Sequence, residues 1–227
     1  MGVLTYSEMK ESLKLSLSGR TALETPTDWY GEFLNNAYMQ LCTRTRLFSI
    51  PFLIFLPELE TSATLTTADG VAYVANPADL FILRGIWDST NDRMLNWIPP
   101  EEYYRQTGRA TTTAEGYPRS YTRLGTNIYL YPTPDAVYSW TCYYKKKPAK
   151  LTLVGDVTVL GSEWDIPIVR LATILGMQAL KEYDFAEIEK KAFVEDVTGL
   201  VNSIYQEQRQ LKSWIQPNSQ YLNRWRG

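Results

Sequence analysis

Apolar and polar residues follow three successive patterns along this chain. From Thr5, the stretch TYSEMKESLKLSL sets Tyr6, Met9, Leu13 and Leu17 near helical spacing, and Gly19 supplies a stop signal. A short first helix is predicted. In PTDWYGEFLNNAYMQLCTR, Thr27 or Asp28 is placed to cap free amides, and Trp29, Phe33, Tyr38 and Leu41 recur on one face. This predicts a second helix that ends before about Phe48. The period then shortens toward two. PFLIFLPELETSATLTT, VAYVANP and DLFILRGIWD are rich in strand-favouring residues and are separated by Pro, Asp-Gly and Asn-Pro signals. In MLNWIPPEEYYRQTGR, tandem prolines, two acids and an aromatic pair predict a helix of a few turns, and ATTTAEG after it is expected to be poorly ordered. YPRSYTRLG and NIYLYPTP then read as a hairpin turning at Gly125 to Asn127. A third strand, YSWTCYYKKK, puts Ser139, Thr141 and Tyr143 on one face and Trp140, Cys142 and Tyr144 on the other.

The last third returns to helical spacing. In SEWDIPIVRLATILGMQALKEYDF the apolar positions from Ile166 to Leu180 nearly encircle the axis, which predicts a buried helix at the centre of a helical layer. A second long helix is predicted from about Glu187, its stripe carried by Phe193, Val197, Leu200, Val201, Ile204, Tyr205 and Leu211, with the turn between the two at Tyr183 to Ala186. The pattern therefore predicts an α+β fold, a helical bundle formed by the N- and C-terminal helices with a β-rich insertion. The expected boundaries are residues 1–48 and 160–216 for the helical domain, 49–159 for the β-rich insertion module and 217–227 for a C-terminal arm. That arm, PNSQYLNRWRG after Gln216, has too few aliphatic residues to bury itself and is expected to order on a partner.

Composition narrows the chemistry. The 227 residues include no histidine, which removes the commonest general base and the commonest transition-metal ligand together. Sixteen tyrosines and seven tryptophans instead supply large, stiff contact area suited to cores and interfaces. A formal charge of −2 gives no overall footprint for nucleic acid or an anionic membrane. Neither an apolar run of about 18 residues nor a secretion signal is recognisable, so no membrane association is expected. Cys42 and Cys142 lack metal or redox spacing and read as small buried residues.

The candidate catalytic groups are carboxylate pairs: Glu101 with Glu102, Asp184 with Glu187, and Glu195 with Asp196. Each has a blander reading than acid–base chemistry: the acids after Pro100 and those near Glu187 stabilise helix N-termini through the helix dipole. Phosphate-binding loops, zinc spacing, nucleophile elbows and calcium loops are not found in the sequence, so no catalytic residue, cofactor or metal is assigned. Lys145, Lys146, Lys147 and Lys150 read as a solvated strand end that discourages edge-to-edge pairing, with contact to a nucleic-acid backbone as the other reading. The end of the chain is more specific. After Glu207 it carries no acid, and Arg209, Lys212, Arg224 and Arg226 alternate with Trp214, Tyr221 and Trp225. Trp214, Tyr221, Arg224, Trp225 and Arg226 are therefore the candidate partner-binding residues, since Trp, Tyr and Arg dominate binding hot spots.

The order of four segments resembles the head-to-tail adaptor (portal adaptor) proteins of short-tailed phages. NNAYMQLCTR is similar to that family's early helix, and VANPADLFILRGIWDSTNDRMLNWIPPEEYYR to its paired-strand segment ending in Pro-Glu-Glu-aromatic. Tyr129, Leu130, Tyr131, Pro132, Pro134 and Asp135 stand where the family writes Leu-Tyr-Pro-x-Pro-Asp before an aromatic strand. WDIPIVRLATILGMQALKEYDFAEIEKKAFVEDV resembles its closing helical hairpin. The resemblance implies a structural virion protein made in the host cytoplasm and placed at the head–tail junction. Its partners would be the portal protein, the tail nozzle or tail fibre proteins, and further copies in a ring of twelve, through which DNA passes during ejection without sequence-specific binding. No enzyme activity is implied. The alternative reading is a carbohydrate- or receptor-binding module of a tail fibre or spike, with Tyr103, Tyr104, Tyr143 and Tyr144 as stacking platforms. A third, a polysaccharide hydrolase using paired carboxylates, would call on Glu101 or Asp135.

Overall fold

Thr5 starts the first helix, α1 (Tyr6–Ser16), through a reciprocal capping box: its hydroxyl accepts from the Glu8 amide while the Glu8 carboxylate accepts from the Thr5 amide. In this computed structural model, residues 3–18, 23, 27–44, 46–48, 50, 51, 56–108 and 114–215 are described, without side chains at 46, 50, 51 and beyond 203. Asp28 caps α2 (Trp29–Thr43) by accepting from the Gly31 amide. The chain divides into two compact units, residues 1–58 with 149–227 and residues 59–148.

The first unit is helical. α4 (Asp165–Ala179) runs through its middle against α1, α2 and α5 (Tyr183–Ile215), so its apolar residues are needed on nearly every side. Met9 and Leu13 of α1, Tyr30, Leu34 and Leu41 of α2, Ile168 and Ile174 of α4, and Phe193 and Val197 of α5 are fully buried. Gly176 is where α1 ends against α4; a Cβ there would lie 2.6 Å from Leu17 Cδ1. A two-residue ladder pairs β1 (Arg46–Leu47) with β2 (Ile50–Pro51). Three sequence expectations change. The buried face of α2 is carried by Tyr30, Leu34, Tyr38 and Leu41, whereas Trp29 is 44% exposed. The α4–α5 turn falls at Leu180 to Glu182, with Lys181 in the left-handed region at φ 63°, so α5 begins earlier than the sequence suggests. The segment after Pro148 belongs with the helices, because α1 and α2 hold its backbone.

The second unit is a mostly antiparallel β structure in two four-stranded sheets. The first has the order β3 (Glu60–Thr66), β10 (Ser139–Lys146), β5 (Leu80–Asp88), β6 (Arg93–Met94). The second has the order β4 (Tyr73–Ala75), β9 (Asn127–Tyr131), β8 (Ser120–Leu124), β7 (Asn96–Trp97), with β7 parallel to β8. β8 and β9 form the expected hairpin, turning at Gly125 with φ 59°. α3 (Pro100–Gly108) packs beside β8. The core gathers Ile86, Ile128, Leu130, Trp140 and Cys142, and the alternation of β10 is as its sequence predicts up to Tyr144. The fold is thus α+β, with five α-helices among the described residues. Of the ATTTAEG stretch expected to be poorly ordered, residues 110–113 lie outside the described residues, whereas Ala114 to Gly116 are held by backbone hydrogen bonds to Thr133.

Candidate assembly surfaces

In the helical unit, residues 151–159 form a loop whose backbone is tied down; Leu151 and Thr158 are buried, while the side chains of Thr152, Leu153, Val154, Val157 and Val159 are exposed. The Asp156 carboxylate accepts from the amides of Thr152 (2.7 Å) and Leu153 (2.8 Å), which holds its pKa below the usual value. Tyr6 and Ser7 donate their amides to the carbonyls of Asp156 and Val154, using donors that a helix start leaves free. Tyr38 accepts from the Val159 amide at 3.0 Å, and burial raises the pKa of its phenol. On this fixed loop Leu153 and Val154 remain 69% and 74% exposed. Apolar side chains displayed on an ordered backbone are suited to a protein contact. Tyr183, Phe185 and Ile188 at the start of α5 are exposed likewise. Between α1 and α4 lies a groove of about 330 Å³ lined by Leu4, Ser12, Ile166, Val169 and Arg170. Arg170 ties α4 to α5 through Glu189 (3.3 Å) and Asp196 (2.8 Å).

The β unit carries a cleft of about 440 Å³, bordered by Phe81 to Arg84 on β5 and by Trp97, Tyr121 and Arg123. Arg123 donates to the Phe81 carbonyl at 3.0 Å, and Arg84 forms a two-point contact with Glu60. Trp97 is 61% exposed at its border. Elsewhere in the unit Asp88 is fully buried and accepts from the amides of Thr90 and Asn91, the Asn91 side chain and the Tyr117 hydroxyl, which itself accepts from Trp140 Nε1. Burial alone would raise the Asp88 pKa; these hydrogen bonds outweigh it and the pKa is lowered. The arrangement is a satisfied structural carboxylate that shapes the β5–β6 turn.

The carboxylate pairs have structural partners. Glu102 meets Arg105 and Gln106 within α3, Glu187 meets Lys190, and Asp196 meets Arg170. Among the described residues no group of three or more acids and cysteines is placed to hold a metal ion. The four tyrosines considered as stacking platforms are not equivalent. Tyr103 and Tyr144 are buried, Tyr103 against Tyr129 and Tyr144 donating to Asp79 at 2.8 Å, while Tyr104 and Tyr143 are exposed. The solvated reading of the lysine run is corrected at its first member. β10 is an interior strand, and a register shift between Tyr143 and Tyr144 against β5 leaves both Tyr144 and Lys145 buried. Of the candidate partner-binding residues, Trp214 stands on the backbone of α5 with its side chain outside the description, and Tyr221, Arg224, Trp225 and Arg226 lie outside the described residues. Sequence reading misses the 151–159 loop; the signal is its run of Leu and Val around Gly155 and Asp156, too apolar for a solvated connection.

Apolar side chains exposed on an ordered backbone, as at Leu153 and Val154, are a feature of surfaces that bind other proteins. The family model described as SU10 adaptor protein matches residues 4–219, and the chain belongs to that family. It is a phage structural adaptor and a virion component, and membership implies contacts with portal and tail proteins. The family is a structural one, which points away from an enzyme. No helix among the described residues is long and apolar enough to cross a membrane. No curated protein matches the chain.

Proposed function

We propose that this chain is the subunit of an adaptor ring, twelve copies in circumference, that joins the portal vertex to the tail and extends the DNA channel. The observation that carries this reading is the family match over residues 4–219. The rigid loop bearing Leu153 and Val154 and the exposed start of α5 supply surfaces of the kind such a ring needs. Neighbours pack head to tail, and the heterologous interface closes because the rotation per subunit divides a full turn. The aromatic and basic arm, with Trp214, Tyr221, Arg224, Trp225 and Arg226, docks on the portal or an adjacent subunit, and repetition around the ring multiplies a modest single affinity. A chain of formal charge −2 holds phosphates weakly, which suits passage of DNA at ejection.

Truncation after Gln216 tests the arm. The shortened protein is expected to keep its far-ultraviolet circular dichroism and to bind the portal of its phage at least tenfold more weakly; unchanged binding refutes the arm. Electron-microscopic class averages of full-length protein mixed with portal test the ring, and twelvefold density below the portal is the expected result.

A further inference from the structure

An outer strand of a sheet exposes unpaired amides and carbonyls, and natural proteins blunt such edges by keeping them short, charged or proline-bearing. Three outer strands of the β unit obey by length: β4 has three residues, and β6 and β7 have two each. β3 does not. It has seven residues, pairs with β10 on one side, and among the described residues meets no strand on the other. After Glu60 it reads Thr-Ser-Ala-Thr-Leu-Thr, with Ser62, Thr64 and Thr66 exposed and no Lys, Arg or Pro to repel a neighbour.

The same sheet has a second opening. β10 pairs with β5 from Leu80 to Trp87, but β6 covers the other side of β5 only at Trp87 and Asp88, with Leu95 donating its amide to Ile86. Phe81 to Arg84 border the cleft instead. Leu80 to Leu83 are four consecutive apolar residues, the composition of a strand buried on both faces, yet each is only half-buried.

The two openings match in direction and charge. β3 and β5 are both antiparallel to β10 and so run the same way, and Glu60 lies level with Ile82 through their shared neighbour Lys145. A copy of β3 laid parallel along the open stretch of β5 brings its acidic start, Glu58 and the Glu60 that is also paired with Arg84 of its own sheet, to the end where Arg123 reaches Phe81. The C-terminal arm is a poor occupant, since Arg224 and Arg226 repeat the cleft's own charge. Self-pairing of two β3 edges would close at two copies and leave the cleft empty.

We propose that β3 of one subunit adds in parallel to the Phe81–Arg84 stretch of β5 in the next, joining the sheets of neighbouring subunits. This rests on the ring reading, and the test separates the two. Full-length protein is assembled on the portal of its phage as wild type, Thr64→Lys, Glu60→Arg, Arg123→Glu, and an equimolar mixture of the last two, with circular dichroism and melting curves to confirm folding. Each single variant is expected to assemble at least tenfold more weakly than wild type. The mixture is expected to recover, because the Glu60→Arg edge of one copy then meets the Arg123→Glu cleft of its neighbour with opposite charges restored, while the alternate interface is native. A Thr64→Lys ring as tight as wild type overturns strand addition and leaves the ring standing, and so does a variant ring that fails only to bind tail protein. Absence of a wild-type ring on the portal overturns both.

Discussion

Asn35 holds Leu151 through both ends of its side-chain amide: Oδ1 accepts from the Leu151 amide at 2.8 Å and Nδ2 donates to the Leu151 carbonyl at 2.9 Å. Nδ2 also donates to the Gly31 carbonyl at 3.1 Å, so one buried residue on α2 receives the chain as it returns from the β unit. The geometry imitates one rung of a β-ladder where no strand is present. It also explains a polar residue on the buried face of α2.

Asn35→Ala is expected to leave the amide and carbonyl of Leu151 without partners in the core. Each orphaned group costs about 1–3 kcal/mol, so the helical unit should lose about 2–6 kcal/mol in urea denaturation. Asn35→Asp tests the same contact differently, because it keeps the acceptor and removes both donors. It is expected to destabilise as well, through a buried carboxylate facing two carbonyls.

How far the sequence reveals this fold follows from which interactions are local. The capping box of Thr5 and Glu8, the Gly125 hairpin and the faces of β10 depend on neighbours in sequence, and spacing exposes them. The Asn35–Leu151 clip joins positions 116 residues apart, and nothing nearby announces it. The α4–α5 turn escapes the pattern because the left-handed position expected of glycine is held by Lys181. Lys145 reads as solvated because its run resembles a strand end; only the strand order shows that β10 lies inside the sheet. Of the candidate partner residues, Tyr221, Arg224, Trp225 and Arg226 lie outside the described residues, whereas the 151–159 loop owes its order to backbone contacts with α1 that spacing does not encode.

The strained turn gives a stabilising prediction. Lys181 has φ 63°, a conformation costing an L side chain about 1 kcal/mol relative to glycine. Lys181→Gly is expected to raise the melting temperature of the helical unit by a few degrees. An unchanged or lowered value would mean that the lysine side chain offsets the backbone cost.

Cys142 supplies a test of packing in the β unit. It is fully buried beside Trp140 and Ile86, and burial pushes its thiol up to about 11. Since the thiolate is the reactive form, a maleimide at neutral pH should leave Cys142 unlabelled in the native protein and modify it on unfolding in guanidinium. Mass spectrometry of digested samples gives the readout, and rapid native labelling would contradict the burial.

Asp88 and Asp165 are both buried acids, and their pH dependences should have opposite signs. Asp165 accepts from the Leu4 amide at 2.7 Å, and burial is the largest influence on it, raising its pKa. Its folded form therefore binds a proton more readily than the unfolded chain. The resulting contribution is present below the unfolded pKa and is lost as pH rises through the folded one. For Asp88, burial is outweighed by hydrogen bonds and the pKa is lowered; its contribution is present above the unfolded pKa and is lost as pH falls through the folded one. Asp165→Asn should accordingly improve stability relative to wild type more at neutral pH than in acid. Asp88→Asn should cost most at neutral pH and least in acid, because the amide cannot reproduce a carboxylate accepting from Tyr117, Thr90 and Asn91. Denaturant melts of each variant and wild type across the carboxylate range measure both differences, with hydrogen exchange at residues 88–94 reporting the turn directly. Parallel pH profiles for the two variants would refute the assignment of opposite signs.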